Sequence, residues 1–254
     1  MLEGHKTTAE YTSKFMVIGT ITHLNIYPVK SMGGLSVDDA IVYWYGFNGD
    51  RKYAFVQSDN PSGFPWLTAR QVPTMVQHKP YFLDEGERND SRIHVVTPDG
   101  AEYELQSAEL KAHLEALYQK RVHLMHLLRG TWDAHSISLI SHKTIETISA
   151  QNGHPLTTDR FRMNIVVDTD AAGAIPENAW VGKSLVFGDG DVEIQFDRRT
   201  VRCSMVNVDP VSAEISPAVL KTIAQNHDSQ LGLYGSVVKA GTVRVGDKIR
   251  LKCD

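Results

Sequence analysis

One thiol stands in an unusually cationic run, Asp197-Arg198-Arg199-Thr200-Val201-Arg202-Cys203-Ser204-Met205-Val206-Asn207-Val208-Asp209-Pro210. Nearby cations favour thiolate over thiol, and the thiolate is the form that attacks electrophiles or ligates soft metals; a free cysteine, with a pKa of about 8.5, otherwise keeps its proton at neutral pH. A second reading stands beside this one. If the run is a strand, Arg202 and Ser204 face away from Cys203, which then shares a face with Val201 and Met205. Free cysteine also packs as a small, inert hydrophobe.

Four cationic segments offer anion chemistry. Lys30 follows Tyr27-Pro28-Val29 and precedes Ser31-Met32-Gly33-Gly34, which sets a lysine beside flexible backbone amides. Thr68-Ala69-Arg70-Gln71 ends the Gly63-Phe64-Pro65-Trp66 loop, and Arg160-Phe161-Arg162-Met163-Asn164 places two guanidiniums at i and i+2 before an apolar strand. The fourth is the arginine run before Cys203. Guanidinium suits phosphate and other oxyanions because its planar fork donates two parallel hydrogen bonds. Each segment alone reads sooner as solvated surface charge; together with Cys203 they suggest an anionic cofactor held near a thiolate.

Other signals fail on spacing. Gly182-Lys183-Ser184 resembles the end of a phosphate loop, but the earlier glycine of that motif falls on Glu177. No HExxH exists, and His123 and His126 lie three apart in a predicted strand, on opposite faces. A net charge of -4 over 254 residues argues against a general nucleic-acid binder, so any anion site must be local. Only Cys203 and Cys253 are present, too few for an iron–sulfur cluster or an all-cysteine zinc site within one chain, and this usage fits a reducing, cytoplasmic compartment. Residues 1–16 lack the apolar core of a secretory signal and read as a polar, disordered tail. No apolar run approaches the roughly 18 residues that span a bilayer.

The elements that position these residues are mostly strands. Val17 to Tyr27, Ile41 to Tyr45, Lys52 to Val56 and Ile93 to Val96 are β-branched or aromatic runs broken by Gly and Pro, so the first hundred residues read as all-β. Ser107 caps a helix whose Leu110, Leu114, Leu117 and Tyr118 form one apolar stripe. A second helix runs from Ser141 to Asn152-Gly153, and a third opens at Ser216-Pro217. Asn164 to Asp168 and Ser184 to Phe187 read as core strands, and Val243 to Leu251 as a closing hairpin turning at Gly246-Asp247. The expected class is β-rich α+β, a barrel with a few covering helices.

In order along the chain, Tyr27-Pro-Val-Lys-Ser31, Gly46 with Asp50-Arg51, Leu67-Thr-Ala-Arg-Gln71 with Pro73, and Arg160-Phe-Arg-Met-Asn164 are followed by Trp180-Val-Gly182. Arg202-Cys203 with Val208-Asp-Pro210, and Leu233-Tyr234 leading to Gly241-Thr-Val-Arg-Val-Gly-Asp247, complete the set. This succession resembles the MOSC-domain proteins that carry an N-terminal MOSC β-barrel domain, related to the mitochondrial amidoxime-reducing component and to the C-terminal part of molybdenum cofactor sulfurase. The resemblance runs from about Ile21 to Leu251 and implies an N-terminal β-rich domain over 17–105 and a MOSC domain over 106–254, sharing one site.

It also implies a molybdenum cofactor (Mo-molybdopterin) with Cys203 as metal ligand and catalytic position. Lys30, Arg70 and Arg162 are expected at its phosphate and pterin, with Ser31, Thr68, Ser136, Ser138, Arg160, Asn164 and Arg202 as further candidates. The implied activity is reduction of small N-hydroxylated compounds such as amidoximes or hydroxylamines. No GxGxxG lies between a strand and a helix, so the electrons are expected from an external electron-transfer protein or reductase. The alternatives are a cofactor carrier, and a sulfur-handling binding protein, neither with reductase turnover. The chain departs from its relatives at Thr200, where their Cys-x-Arg-Cys opens with cysteine, at Val206-Asn207, where they read Thr-Thr, and at Met163, where proline is common. Asp209 reads as a turn residue before Pro210 rather than a proton relay.

Overall fold

A computed structural model describes residues 15–84, 86, 88, 91–128, 130 and 136–252. The expected polar tail lies outside them as far as residue 14, and so does Cys253. Among the described residues sixteen strands run in order. In the first half they are β1 (Phe15–Ile26), β2 (Leu35–Val37), β3 (Asp39–Tyr43), β4 (Gly46–Phe47), β5 (Tyr53–Gln57), β6 (Lys79–Phe82), β7 (Ile93–Val96), β8 (Glu102–Glu104) and β9 (Val122–His126). The second half holds β10 (Ile137–Ser141), β11 (Ile165–Asp168), β12 (Lys183–Phe187), β13 (Val192–Val201), β14 (Gln230–Lys239), β15 (Gly241–Arg244) and β16 (Lys248–Lys252). The described helices are α1 (Ala108–Tyr118), α2 (His142–Asn152) and α3 (Pro217–His227).

Seven strands close a barrel in the order β11, β10, β14, β13, β12, β16, β1, with β1 returning to pair antiparallel with β11. Closure leaves no free edge among them. The long first strand therefore completes a barrel whose other members all come from the second half. In return β15 leaves that region and pairs with β3. The two halves are tied by strand pairing in both directions, and smaller sheets of β5 with β9 and of β6, β7 and β8 complete the fold.

β10 and β11 show why no apolar–polar alternation is visible there. Leu139, Ile165 and Val167 face the main core, while Ile140 and Val166 join Ile145 and Ile148 of α2 and Val219 and Ile223 of α3 in a second cluster. A strand buried on both faces reads as a continuous apolar run. α2 begins where the Ser141 hydroxyl accepts from Thr144 N and ends at Gly153, φ 79°, a left-handed position that glycine takes without a Cβ penalty.

The expected closing hairpin is not formed. The Gly246-Asp247 turn is present, but β15 goes to β3 while β16 pairs with β1 and β12. Gly246 N donates to Ile21 O and Ile21 N to Asp247 O, so the turn is held by β1 and its flanking strands diverge into different sheets.

Candidate active site

The strand reading of Cys203 fails at its last step. β13 ends at Val201, and Cys203 stands at the entrance of a short helical turn, Ser204–Asn207. Its side chain is exposed, which removes the buried, inert reading. It opens into a cavity of about 520 Å³ between the barrel rim and the first-half loops.

Lys30, Arg51, Arg70, Arg162, Arg198, Arg199 and Arg202 all line this cavity, and among the described residues no aspartate or glutamate does. Seven cations with no lining carboxylate among the described residues concentrate positive charge locally in a chain of net charge -4. The first half supplies one shore. The buried Lys30 Nζ lies 5.6 Å from the centre of the Phe64 ring, and the exposed Arg70 guanidinium lies 4.9 Å from it, so one aromatic face holds two cations. The Thr68 hydroxyl donates to Gln71 Oε1 at 2.7 Å and accepts from Arg70 Nε at 3.3 Å, fixing the arginine's stem.

Behind this shore Tyr27, almost fully buried, carries the Arg162 guanidinium at 4.3 Å and that of Arg51 at 4.7 Å from its ring centre. Burial pushes the Tyr27 hydroxyl up to about 12 despite the opposing pull of both arginines, so the phenol stays neutral. Arg51 donates to Asp50, to the Arg162 carbonyl at 2.9 Å and to Asn164 Oδ1 at 3.4 Å. Burial works against its charge, but Asp50 and Tyr27 more than offset that and raise its pKa. Arg162 itself donates to Met32 O at 2.6 Å. Ser31, Arg51 and Arg162 have φ of 68°, 50° and 53°. Left-handed backbone at a non-glycine costs on the order of 1 kcal/mol or more and persists where the surroundings fix it.

The second half supplies the other shore. Arg202 donates to Phe161 O at 2.7 Å, while its Nε is buried with no hydrogen-bond partner among the described residues. Desolvation by burial lowers its pKa from the ordinary value. Ser138 Oγ donates to Asn164 Oδ1 at 2.9 Å and accepts from Asn164 N, while Asn164 Nδ2 donates to Asn25 O at 3.2 Å. Asn25 N donates to Asn164 O and Asn25 Nδ2 to Met163 O. The buried Asn164 therefore stitches β1 to the start of β11.

Of the residues expected from sequence, Cys203, Lys30, Ser31, Thr68, Arg70, Ser138, Arg162, Asn164 and Arg202 line this cavity. Ser136 and Arg160 do not. The Ser136 carbonyl lies against Gly46, whose added Cβ would come within 2.9 Å of it. Arg160 pairs with Asp209, donates to Val206 O, and borders an adjoining groove. Asp209 keeps its turn role: its Oδ1 accepts from Val211 N and Ser212 N, and these backbone donors lead the causes that lower its pKa. Phe64, Arg51 and Tyr234 stood in the sequence motifs without an assigned role, and Gly49-Asp50-Arg51, a turn ending in an ion pair, was the available signal for Arg51.

Two family models match the chain, the MOSC N-terminal beta barrel domain over residues 18–160 and the MOSC domain over residues 119–250. The chain belongs to the MOSC family. A curated relative of this MOSC protein is the mitochondrial amidoxime-reducing component 1 of Mus musculus, 24% identical, with 92% of this chain and 82% of the mouse protein covered. Among solved structures, the YUAD protein from Bacillus subtilis matches with a TM-score of 0.52 at 15% identity, covering 95% of this chain and 99% of that one, a likeness of fold. MOSC domains as a family are associated with binding the molybdenum cofactor. No helix among the described residues is long and apolar enough to cross a membrane.

Proposed function

We propose that this MOSC protein is a molybdenum-cofactor-dependent oxidoreductase that reduces N-hydroxylated compounds with electrons from a separate protein. One observation carries the reading: an exposed thiol, Cys203, opens into a cavity that, among the described residues, is lined by seven cations and no carboxylate. The site residues fit that cofactor by their chemistry. An anionic pterin phosphate calls for cations, molybdenum accepts a soft thiolate, and Arg202 Nε is a buried donor that the described protein leaves unpaired. The amidoxime-reducing name of the mouse relative supports the choice of substrate class.

In this reading Cys203 is the protein ligand to the metal, and Lys30, Arg70 and Arg162 hold the phosphate and pterin. Ser31, Thr68 and Ser138 are hydroxyls lining the same cavity. Arg51 and Tyr27 set the position of Arg162, one through its carbonyl and one through its guanidinium. When bound, a molybdenum cofactor supplies two-electron and oxygen-accepting chemistry; the protein supplies orientation and charge. Overall, an N–OH group, two electrons and two protons give N–H and water. With only two cysteines and no dinucleotide fingerprint, the electrons come from outside the chain. Cysteine usage favours a reducing, cytoplasmic setting, and 17–105 and 106–254 serve as the two units that share the site.

The experiment is expression in a host that makes the cofactor, then molybdenum and pterin analysis of wild type and of Cys203→Ala, Lys30→Ala, Arg70→Ala and Arg162→Ala. A charge-assisted hydrogen bond is worth roughly 1.5–3 kcal/mol, so losing one arginine should weaken pterin binding about tenfold to a hundredfold. Benzamidoxime turnover with a chemical reductant is expected in wild type and absent in Cys203→Ala. Full cofactor content with no turnover across a panel of N-hydroxylated compounds selects the carrier role instead. A chain that takes up no molybdenum refutes the proposal.

A further inference from the structure

Arg198 and Arg199 differ from the other cavity cations in how they are held. β13 shifts register against β14 between Phe196 and Arg198 and again between Arg199 and Val201. Consecutive side chains of a regular strand point to opposite faces, yet Arg198, Arg199 and Val201 all line the same cavity as Cys203. The two register shifts flank the Arg198–Arg199 pair; bulges bend a strand, disrupt its ladder hydrogen bonds and are frequent beside active sites.

The remaining cations each have a partner among the described residues. Arg51 is held by Asp50, Arg162 by Met32 O and the Tyr27 ring, Arg202 by Phe161 O, and Lys30 and Arg70 lie over Phe64. The Arg198 guanidinium makes no hydrogen bond or ion pair among the described residues, and that of Arg199 reaches only Asp228, at 3.9 Å, whose side chain is 84% exposed. A cofactor phosphate held by Lys30, Arg70 and Arg162 leaves two loosely held guanidiniums on the β13 wall. Beside them stand the exposed Val201 and the part-buried Met205, both also lining the cavity.

The geometry points to a substrate anion subsite: Arg198 and Arg199 receive a carboxylate carried by the N-hydroxylated substrate, whose apolar body lies on Val201 and Met205. A guanidinium fork matches a carboxylate with two parallel hydrogen bonds, and a pair of forks favours an anionic compound over its neutral counterpart. This inference rests on the reductase reading and names its substrate class.

The test compares benzamidoxime with para-carboxybenzamidoxime on cofactor-loaded protein, with reduced methyl viologen as the electron source. Wild type should favour the carboxylate in kcat/KM by about tenfold or more, since one charge-assisted hydrogen bond is worth that much. In Arg198→Gln/Arg199→Gln the ratio of the two kcat/KM values should fall about tenfold to a hundredfold, through the KM of the carboxylated compound. Calorimetric titration with the products, benzamidine and para-carboxybenzamidine, reads the same discrimination without turnover.

Turnover of benzamidoxime with no carboxylate preference, or a preference unchanged in the double variant, overturns the subsite and leaves the reductase standing. A defect that appears only with a protein electron donor assigns the arginines to donor docking and also overturns it. If wild type turns over neither compound, the reductase reading fails, and the ratio of product affinities alone then upholds or overturns the anion subsite.

Discussion

Removing Arg51 should unfold the cofactor shore from beneath. The Asp50 side chain is fully buried, with one carboxylate oxygen accepting from Tyr27 N at 2.7 Å and the other paired with Arg51. Arg51→Ala leaves that second oxygen uncompensated and frees the Arg162 carbonyl and Asn164 Oδ1 of a donor. Breaking a buried ion pair by deleting one partner costs about 3–5 kcal/mol. The Arg51 side chain is 16% exposed, so water reaches part of the site and the low end, about 3 kcal/mol, is expected. For a chain of this size that lowers Tm by about 6–12 °C. Guanidinium unfolding of wild type, Arg51→Ala, Asp50→Asn and the double variant gives the cycle. The double variant should recover at least about 1.5 kcal/mol relative to additivity, because it removes the stranded charge. A loss in Arg51→Ala below about 1 kcal/mol, with no coupling to Asp50, refutes the positioning role of this pair.

Gly34→Ala should disturb the same shore from the other side, since its Cβ would lie 2.5 Å from Tyr27 Cε1; pterin retention should fall although Gly34 does not line the cavity, and unchanged retention with an unshifted Tm contradicts this. Burial raises the pKa of Glu177, with Thr144 and Ser141 opposing it. A raised folded-state pKa adds stability that is complete below the unfolded value, about 4.3, and is lost as pH rises through the folded one. Glu177→Gln should therefore gain on wild type as pH rises from about 4.3, and a difference that is flat with pH argues against it. Arg70→Ala should release less pterin than Arg162→Ala, because Arg70 is exposed and rests on one ring whereas Arg162 is fixed by Met32 O and Tyr27; equal release defeats that ranking. NADH or NADPH alone should give no benzamidoxime reduction, and substantial turnover by flavin-free protein would show an internal electron path.

What the sequence reveals depends on whether local pattern decides the outcome. Helix ends at Ser107, Ser141 and Gly153 are local events and coincide with the observed caps. The β15–β16 turn is equally local, but the partners of its strands are not: Gly246 and Asp247 bond to Ile21, more than two hundred residues away in sequence. Arg160 and Arg162, at i and i+2, were both candidates for one site, yet a short helical turn followed by left-handed backbone at Arg162 sends Arg160 to Asp209 and Arg162 onto Tyr27. Strand alternation offered a buried, inert Cys203 as the second reading, and it fails because β13 stops at Val201, two residues before the thiol. Arg51 was legible as a motif member but not as a support, since its partners Arg162 and Asn164 lie 111 and 113 residues away in sequence.

The central claim is that Cys203 binds molybdenum within the cationic cavity, and molybdenum-edge X-ray absorption on the purified, cofactor-loaded protein addresses the bond itself. Wild type should show thiolate sulfur in addition to the pterin dithiolene. Cys203→Ser should retain pterin, held by Lys30, Arg70 and Arg162, and lose one sulfur from the metal shell. Identical sulfur scattering in wild type and Cys203→Ser would contradict the account.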